Sequence, residues 1–242
     1  MASASALLYL EPLENRTRGV AVLDALADMI ERAGLTVGDR LPPEVALAAQ
    51  LGVGRSTIRE ALNRWEGLGL IRRRRGDGTY LSARVQTSQG AVPTMIRFEG
   101  EALLRLLQVR RCLENDAVRK AAVQATLAQK AGIARLCDTL LAVVDAGAPY
   151  RAADWAYHGA IYDATGNPMY GQILTRLDEM FERSAESPFG RKDFGLASFP
   201  LHRDLTDGIV AGDADRAGAA INAIIDTVEV EIRIIIGLQA AN

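Results

Sequence analysis

The sequence predicts a mainly α-helical protein: an N-terminal winged helix-turn-helix, with three helices and a small β-hairpin wing, followed by an all-α antiparallel helical bundle. Three observations predict it. Hydrophobic residues make up 49% of the 242-residue chain and aromatics only 5%, an aliphatic, alanine-rich composition that favours helix over sheet. Apolar residues recur at spacings of three and four through most of the chain after residue 100, the period of a helix with one buried face. The stretch from Leu51 to Gly67 carries the punctuation of a turn leading into a second helix.

Residues 1–15 read as an N-terminal arm, with Pro12 interrupting any early helix. A first helix is expected from about Arg16 to Ala33, on the repeat of Val20, Leu23, Leu26, Ala27 and Ile30, and Gly34 stops it. After a turn at Val37-Gly38-Asp39-Arg40, Leu41-Pro42-Pro43-Glu44 opens a second helix with proline in its first turn, ending near Gln50. In the next segment Gly54 lets the chain turn, and Ser56 or Thr57 is the expected N-cap. Ile58, Ala61, Leu62 and Trp65 then form one apolar face, while Arg55, Arg59 and Asn63, spaced by four, line the opposite one. Arginine takes guanine through two hydrogen bonds, and Ser or Thr holds phosphates or base edges, so such a face suits a DNA major groove. An ordinary solvated helix with scattered arginines is the plainer alternative.

The run Arg72-Arg73-Arg74-Arg75 leads into Gly76-Asp77-Gly78-Thr79-Tyr80-Leu81. Two short strands around the glycines make a hairpin. Directly after a recognition helix such a hairpin is a wing, with its arginines, Arg73 and Arg75 among them, beside the phosphate backbone or a minor groove. The formal net charge of the chain is −2, which alone gives no nucleic-acid signature. Its distribution is more informative: residues 1–84 hold twelve arginines, no lysine and ten acids, a net of about +2 that leaves about −4 for the remainder.

Residues 16–81 resemble the winged-helix domain of the GntR family of bacterial transcription regulators. The matching pieces are Gly38-Asp-Arg-Leu-Pro-Pro-Glu44, Leu47-Ala48, Leu51-Gly-Val53, Arg55-Ser-Thr-Ile-Arg-Glu-Ala-Leu62, Leu68-Gly-Leu70 and Gly76-Asp-Gly-Thr79. The resemblance implies that Arg55, Ser56, Thr57 and Arg59 contact an operator, with Arg59 reading guanine and Gly76 at the wing tip. Arg40, in the first matching piece, and Asn63 join the expected DNA contacts. One departure stands out: the family usually has arginine after the Glu of its Pro-x-Glu segment, and this chain has Val45.

Residues 82–100, polar and interrupted by Gly90, Pro93 and Gly100, read as a linker. From residue 101 to 240 helical patterns follow one another: Leu103 to Ala122, about Leu127 to Ala146, Tyr150 to Ala164, Tyr170 to Ser187, roughly Leu196 to Ala211, and a last long helix after Gly212-Asp213. Both cysteines, Cys112 and Cys137, sit within apolar helical patterns and are expected to be buried free thiols. With no basic leader and no apolar run of membrane length, the protein is expected in the cytoplasm, away from the membrane.

The chain has two histidines. His158 lies four residues after Asp154, on the same helix face, and His202 lies near the start of a later helix. An Asp and two His can ligate a first-row metal; the same spacing also gives a simple Asp–His helical pair, and on spacing alone that plainer reading leads. Residues 101–240 resemble the FCD effector domain of the FadR-type branch of the family, through Val109-Arg-Arg-Cys-Leu-Glu114, Asp154-x-x-x-His158, Thr165-Gly-Asn167, Leu201-His202 and Gly212-Asp213. The resemblance implies a divalent metal, zinc or nickel, on Asp154, His158 and His202, a small carboxylate effector held by Arg110 and Asn167, and a homodimer on double-stranded DNA. The family's third histidine falls at Ile224, which cannot ligate. Without the resemblance, Arg110 reads equally as an i,i+4 partner of Glu114, and Asn167 as a helix stop.

These expectations describe a ligand-responsive regulator of metabolic genes, a repressor, binding a short palindromic operator as a dimer. The alternative is a metal-dependent enzyme using Asp154, His158 and His202. It lacks a recognisable general base, nucleophile motif or phosphate-binding glycine loop, and leaves the N-terminal domain unexplained.

Overall fold

The protein is described by a computed structural model, which covers residues 18–83, 94–182, 189, 191 and 193–238. The expected N-terminal arm, most of the linker and the end of the helix expected to reach Ser187 lie outside the described residues. Two compact units are present; the first runs to Leu103 and the second holds the helices from Leu104 to Ile234.

In the first unit α1 (Arg18–Arg32), α2 (Glu44–Leu51) and α3 (Arg55–Gly67) precede a hairpin of β1 (Ile71–Arg74) and β2 (Gly78–Leu81). The positions read from the sequence are buried, Leu23, Leu26, Ala27 and Ile30 of α1 and Ile58, Ala61, Leu62 and Trp65 of α3, and Val22 of α1 with Leu47 and Leu51 of α2 are buried as well. Gly52 closes α2 in the left-handed region, at φ 65°, and its amide donates to the Ala48 carbonyl. The next helix is capped by Gly54 in extended conformation, with no side-chain cap. Ser56 and Thr57 are therefore inside the helix, not the N-caps the sequence suggested. Likewise Pro43 is the residue before α2, so proline aims the chain into the helix from outside its first turn.

The hairpin pairs Ile71 with Leu81, Arg72 with Tyr80, Arg73 with Thr79 and Arg74 with Gly78. The α1–α2 loop adds to it: Arg40 bridges Tyr80, and the Leu41 amide donates to the Thr79 carbonyl at 2.8 Å. That loop is itself fixed by Asp39, whose carboxylate accepts from the Thr36 amide and hydroxyl at 2.7 and 2.9 Å. These bonds favour the ionised form and hold the Asp39 carboxyl below the usual range.

A 31-residue helix, α4 (Thr94–Gln124), follows. It starts within the segment expected to be linker, and its first turns belong to the first unit, where Phe98 meets Trp65 edge-on at 6.1 Å between ring centroids. The second unit continues with α5 (Leu127–Asp145), α6 (Arg151–Asp163), α7 (Met169–Glu182), a 3-10 turn at Leu196–Ser198, α8 (Leu201–Ala211) and α9 (Ala214–Ile235). The helix expected from Leu196 to Ala211 is thus two pieces, separated at Phe199-Pro200. Thr126 opens α5 with a reciprocal capping box shared with Gln129. Ala117, Tyr162 and Leu174 form a buried cluster joining α4, α6 and α7. At the α8–α9 turn the backbones approach so closely that a Cβ on Gly208 would sit 2.7 Å from the Ala217 nitrogen. Cys137 is buried as expected, but Cys112 is exposed, because it lies on the solvent side of α4, between the buried positions Leu107, Glu114, Ala117 and Val118.

Candidate DNA-reading surface and candidate metal centre

On α3 the residues opposite the buried face stand in solvent: Arg55, Ser56, Arg59 and Asn63 are exposed and Thr57 is half-buried. Arg59 is not a loose side chain. Its Nε and Nη2 both donate to Oε2 of Glu44, at 3.3 and 3.0 Å, while more than half of its surface stays exposed. Arg75 and Gly76 are exposed at the tip of the hairpin. Arg74 lies over the Tyr80 ring at 4.8 Å, and Arg40 packs against Gly78, where a Cβ would come within 2.5 Å of its Nε.

Arg73 behaves differently from its neighbours. It turns back onto α3, with Nη1 donating to Asn63 Oδ1 at 2.6 Å and Nη2 to the Arg59 carbonyl at 3.3 Å. Its amide donates to Glu66, and its Nη2 is 4.0 Å from Glu44 Oε1. The pleat of β1 explains this, since successive residues of a strand face opposite ways.

In the second unit α6 and α8 bring together the residues that the sequence offered as ligands. Asp154 and His158, one turn apart on α6, meet His202 from the first turn of α8. The two Nε2 atoms are 3.3 Å apart, and each is 3.7 Å from Asp154 Oδ1. A point equidistant from these three atoms is about 2.1 Å from each, the length of a zinc bond to imidazole or carboxylate. Among the described residues this is the one cluster of three such groups able to share a metal ion.

The surroundings of the two rings suit ligation. His202 Nδ1 lies 3.1 Å from the Phe199 carbonyl and 3.3 Å from that of Ser198. Nδ1 must therefore carry the proton, leaving the Nε2 lone pair for the centre of the cluster. His158 turns Nδ1 toward Glu114 Oε2, 4.0 Å away, and Glu114 in turn accepts from Arg110 Nη2 at 2.6 Å. Burial works against the charge of Glu114, but Arg110 and His158 outweigh it and hold its carboxyl below the usual value. Burial, and then the neighbouring His158, push His202 down to about 4, against the pull of Asp154. Burial also raises Asp154, opposed by His202 and Arg110. An uncharged imidazole is the form that binds metal, and the donor set fits a divalent ion of zinc type.

Arg110 is thus both the i,i+4 partner of Glu114 and a cation acting on Asp154. Asn167 does not stop α6. Its Oδ1 accepts from the Met169 amide at 3.0 Å and so starts α7. Ile224 is buried on α9.

Residues 19–81 match the model of the bacterial regulatory proteins of the gntR family, and residues 105–227 match that of the FCD domain. The regulator LutR of Bacillus subtilis is 30% identical over 211 residues, which span 83% of this chain and 94% of LutR. The chain belongs to the GntR family. The transcriptional repressor NanR of Salmonella newport is 27% identical over 224 residues, covering 90% of this chain and 86% of that protein. A GntR-family structure from Pseudomonas syringae pv. tomato shares the fold, with a TM-score of 0.51 at 18% identity over 98% of this chain and 94% of its own. This GntR protein is a DNA-binding transcriptional regulator with an FCD effector domain, and its family is one of regulators, which sets aside the metal-enzyme alternative. Among the described residues no helix is long and apolar enough to cross a membrane.

Two residues of this GntR chain, Glu44 and Glu114, take roles that sequence spacing does not reveal. Glu44 stands out in the sequence only as part of a motif, and the guanidinium that its carboxylate holds, Arg59, is fifteen residues away. Glu114 was legible as a neighbour of Arg110 but not as the group behind His158.

Proposed function

We propose that the protein is a ligand-responsive repressor that binds a short palindromic operator as a homodimer, with a small carboxylate as effector and a divalent metal in the effector domain. The observation that carries this is the triangle of Asp154, His158 and His202 with Arg110 close to it, in a chain whose other unit exposes an arginine-bearing α3. Asp154, His158 and His202 would hold a metal such as zinc or nickel. When bound, that ion supplies a Lewis-acid centre for an effector oxygen. Arg110 supplies a planar guanidinium suited to a carboxylate. With Ile224 in place of a further histidine, the protein contributes three ligands, a set that leaves coordination positions for water or effector.

On DNA, Arg55, Arg59 and Asn63 of α3 read base edges, helped by Ser56 and Thr57, while Arg40, Arg75 and Gly76 approach the backbone. Two copies read the two half-sites. An effector changes DNA affinity only by binding the competent and incompetent states unequally. The name of NanR supports repression as the first sense of regulation to test. The test is a genomic-fragment pull-down by the purified protein beside its Arg59→Ala variant, with and without zinc or nickel. Enrichment of a few palindromic promoter fragments, lost in the variant, is the expected result. Equal enrichment by both proteins would reject the assigned reader.

A further inference from the structure

The Glu44 carboxylate lies between two guanidinium groups. Its Oε2 accepts two hydrogen bonds from one edge of Arg59, through Nε and Nη2, and its Oε1 faces Arg73 Nη2 at 4.0 Å. Arg73 is fixed in turn by Asn63, by the Arg59 carbonyl and by Glu66. Glu44 comes from α2, Arg59 from α3 and Arg73 from the wing, so the cluster ties α2, α3 and the wing together.

We propose that Glu44, braced by Arg73, is a positioning residue that sets the Arg59 guanidinium for base reading. The inference rests on the regulator reading above and adds to it what confers selectivity. A guanidinium is planar and presents its donors in fixed pairs. With the Nε–Nη2 edge on Glu44, the edge formed by the two terminal nitrogens is the one offered outward. That edge matches the O6 and N7 acceptors of guanine. Unrestrained, the arginine samples many rotamers and must be ordered on binding; held in advance, it is already ordered. Arg73, spent on this brace, is a strut of the reading head more than a phosphate contact.

The sign of the effect separates this role from plain electrostatics. Glu44 is an acid at the DNA-facing side of α3, so its charge repels phosphate. Neutralising it strengthens sequence-independent binding. If it positions Arg59, neutralising it at the same time weakens binding to the preferred sequence.

The experiment uses the full chain and duplexes that the wild-type protein enriches from a randomised library, with a scrambled duplex as reference. Affinities of wild-type, Glu44→Gln, Arg73→Met, Arg59→Ala and Glu44→Gln/Arg59→Ala proteins are measured across a salt series. For Glu44→Gln the preferred-to-scrambled ratio is expected to fall about tenfold, focused on one guanine, with scrambled DNA bound as tightly or more so. Arg73→Met should lower the same ratio and leave the salt slope unchanged. The double variant should be no less selective than Arg59→Ala alone. Unaltered selectivity in Glu44→Gln, tighter binding to the preferred duplex, or equal losses on both duplexes would each overturn the proposal. Failure of the wild-type protein to enrich any sequence would overturn the regulator reading, and this inference with it.

Discussion

His202 Nε2 lies 3.3 Å from His158 Nε2, although the two residues are 44 positions apart. His202 keeps its proton on Nδ1 against the Phe199 and Ser198 carbonyls, so its Nε2 lone pair faces the other ring. A cation between the two nitrogens and Asp154 is held by all three groups. Addition of zinc or nickel to chelator-treated protein should therefore raise the thermal midpoint and give one bound ion per chain. His202→Ala or Asp154→Asn should abolish the shift. Unchanged metal content in both variants by elemental analysis would mean that the ion binds elsewhere.

The metal-free protein should lose stability in acid. An unfolded chain protonates His202 near 6.5, whereas in the folded protein burial and His158 delay this to about 4. The depressed base contributes its full stability above 6.5, and this is lost as pH falls from 6.5 towards 4. The loss is on the order of 3 kcal/mol. Urea unfolding of metal-free wild-type and His202→Asn proteins through this window checks it; parallel declines would assign the titration to another group.

Glu114, almost wholly buried, depends on Arg110 for its charge. Arg110→Met should cost about 3 kcal/mol of stability by leaving that carboxylate without its main partner. The double change Arg110→Met/Glu114→Leu should recover much of the loss. Denaturant midpoints of wild-type, Arg110→Met, Glu114→Leu and the double variant form a cycle, and additive losses would show that the pair is not coupled.

For the DNA-binding head, Arg59→Ala should remove discrimination between operator and random duplexes. Arg75→Ala should weaken binding to both and lower the salt slope by about one. Anisotropy titrations at several salt concentrations distinguish the two. Equal losses on operator and random DNA for Arg59→Ala would contradict its role as a reader.

Gly208→Ala tests the α8–α9 turn. The new methyl would meet the Ala217 backbone nitrogen at 2.7 Å, a contact that only a backbone shift relieves. The expected cost is about 1–3 kcal/mol, seen as a lower thermal midpoint. Since His202 stands on α8, metal affinity should fall with it; a variant with the wild-type midpoint would show that the turn yields easily.

Much of the head was readable because it is local. Gly34, Gly52 and Gly76 mark turns that need positive φ, and the buried face of α3 follows a simple period. The pairing of Asp154 with His158 is equally local, one turn along α6. His202 joins them through tertiary packing; the scarcity of histidines made it a candidate, and the resemblance favoured it over the plainer Asp154–His158 pair. The direction taken by Arg73 and the solvent exposure of Cys112 depend on which neighbours a side chain meets, which spacing does not encode. Ser56 and Thr57 have the chemistry of caps, yet the backbone enters α3 at Gly54 with no side-chain cap. The α4 helix begins at Thr94 because Phe98 and Glu99 bury themselves against α3 residues, Trp65 and Arg64, contacts absent from the linker-like composition around them.

The four arginines from Arg72 to Arg75 look interchangeable, a stretch in which only the number of charges counts. The alternation of β1, with Arg72 and Arg74 exposed and Arg73 half-buried, makes them unequal. Inserting or deleting a single arginine there would leave the composition almost unaltered but exchange the inner and outer places along the strand. The residue that ties the wing to α3 would then face solvent, and a neighbour built for the outside would take its place. In this wing, order along the chain counts for more than charge.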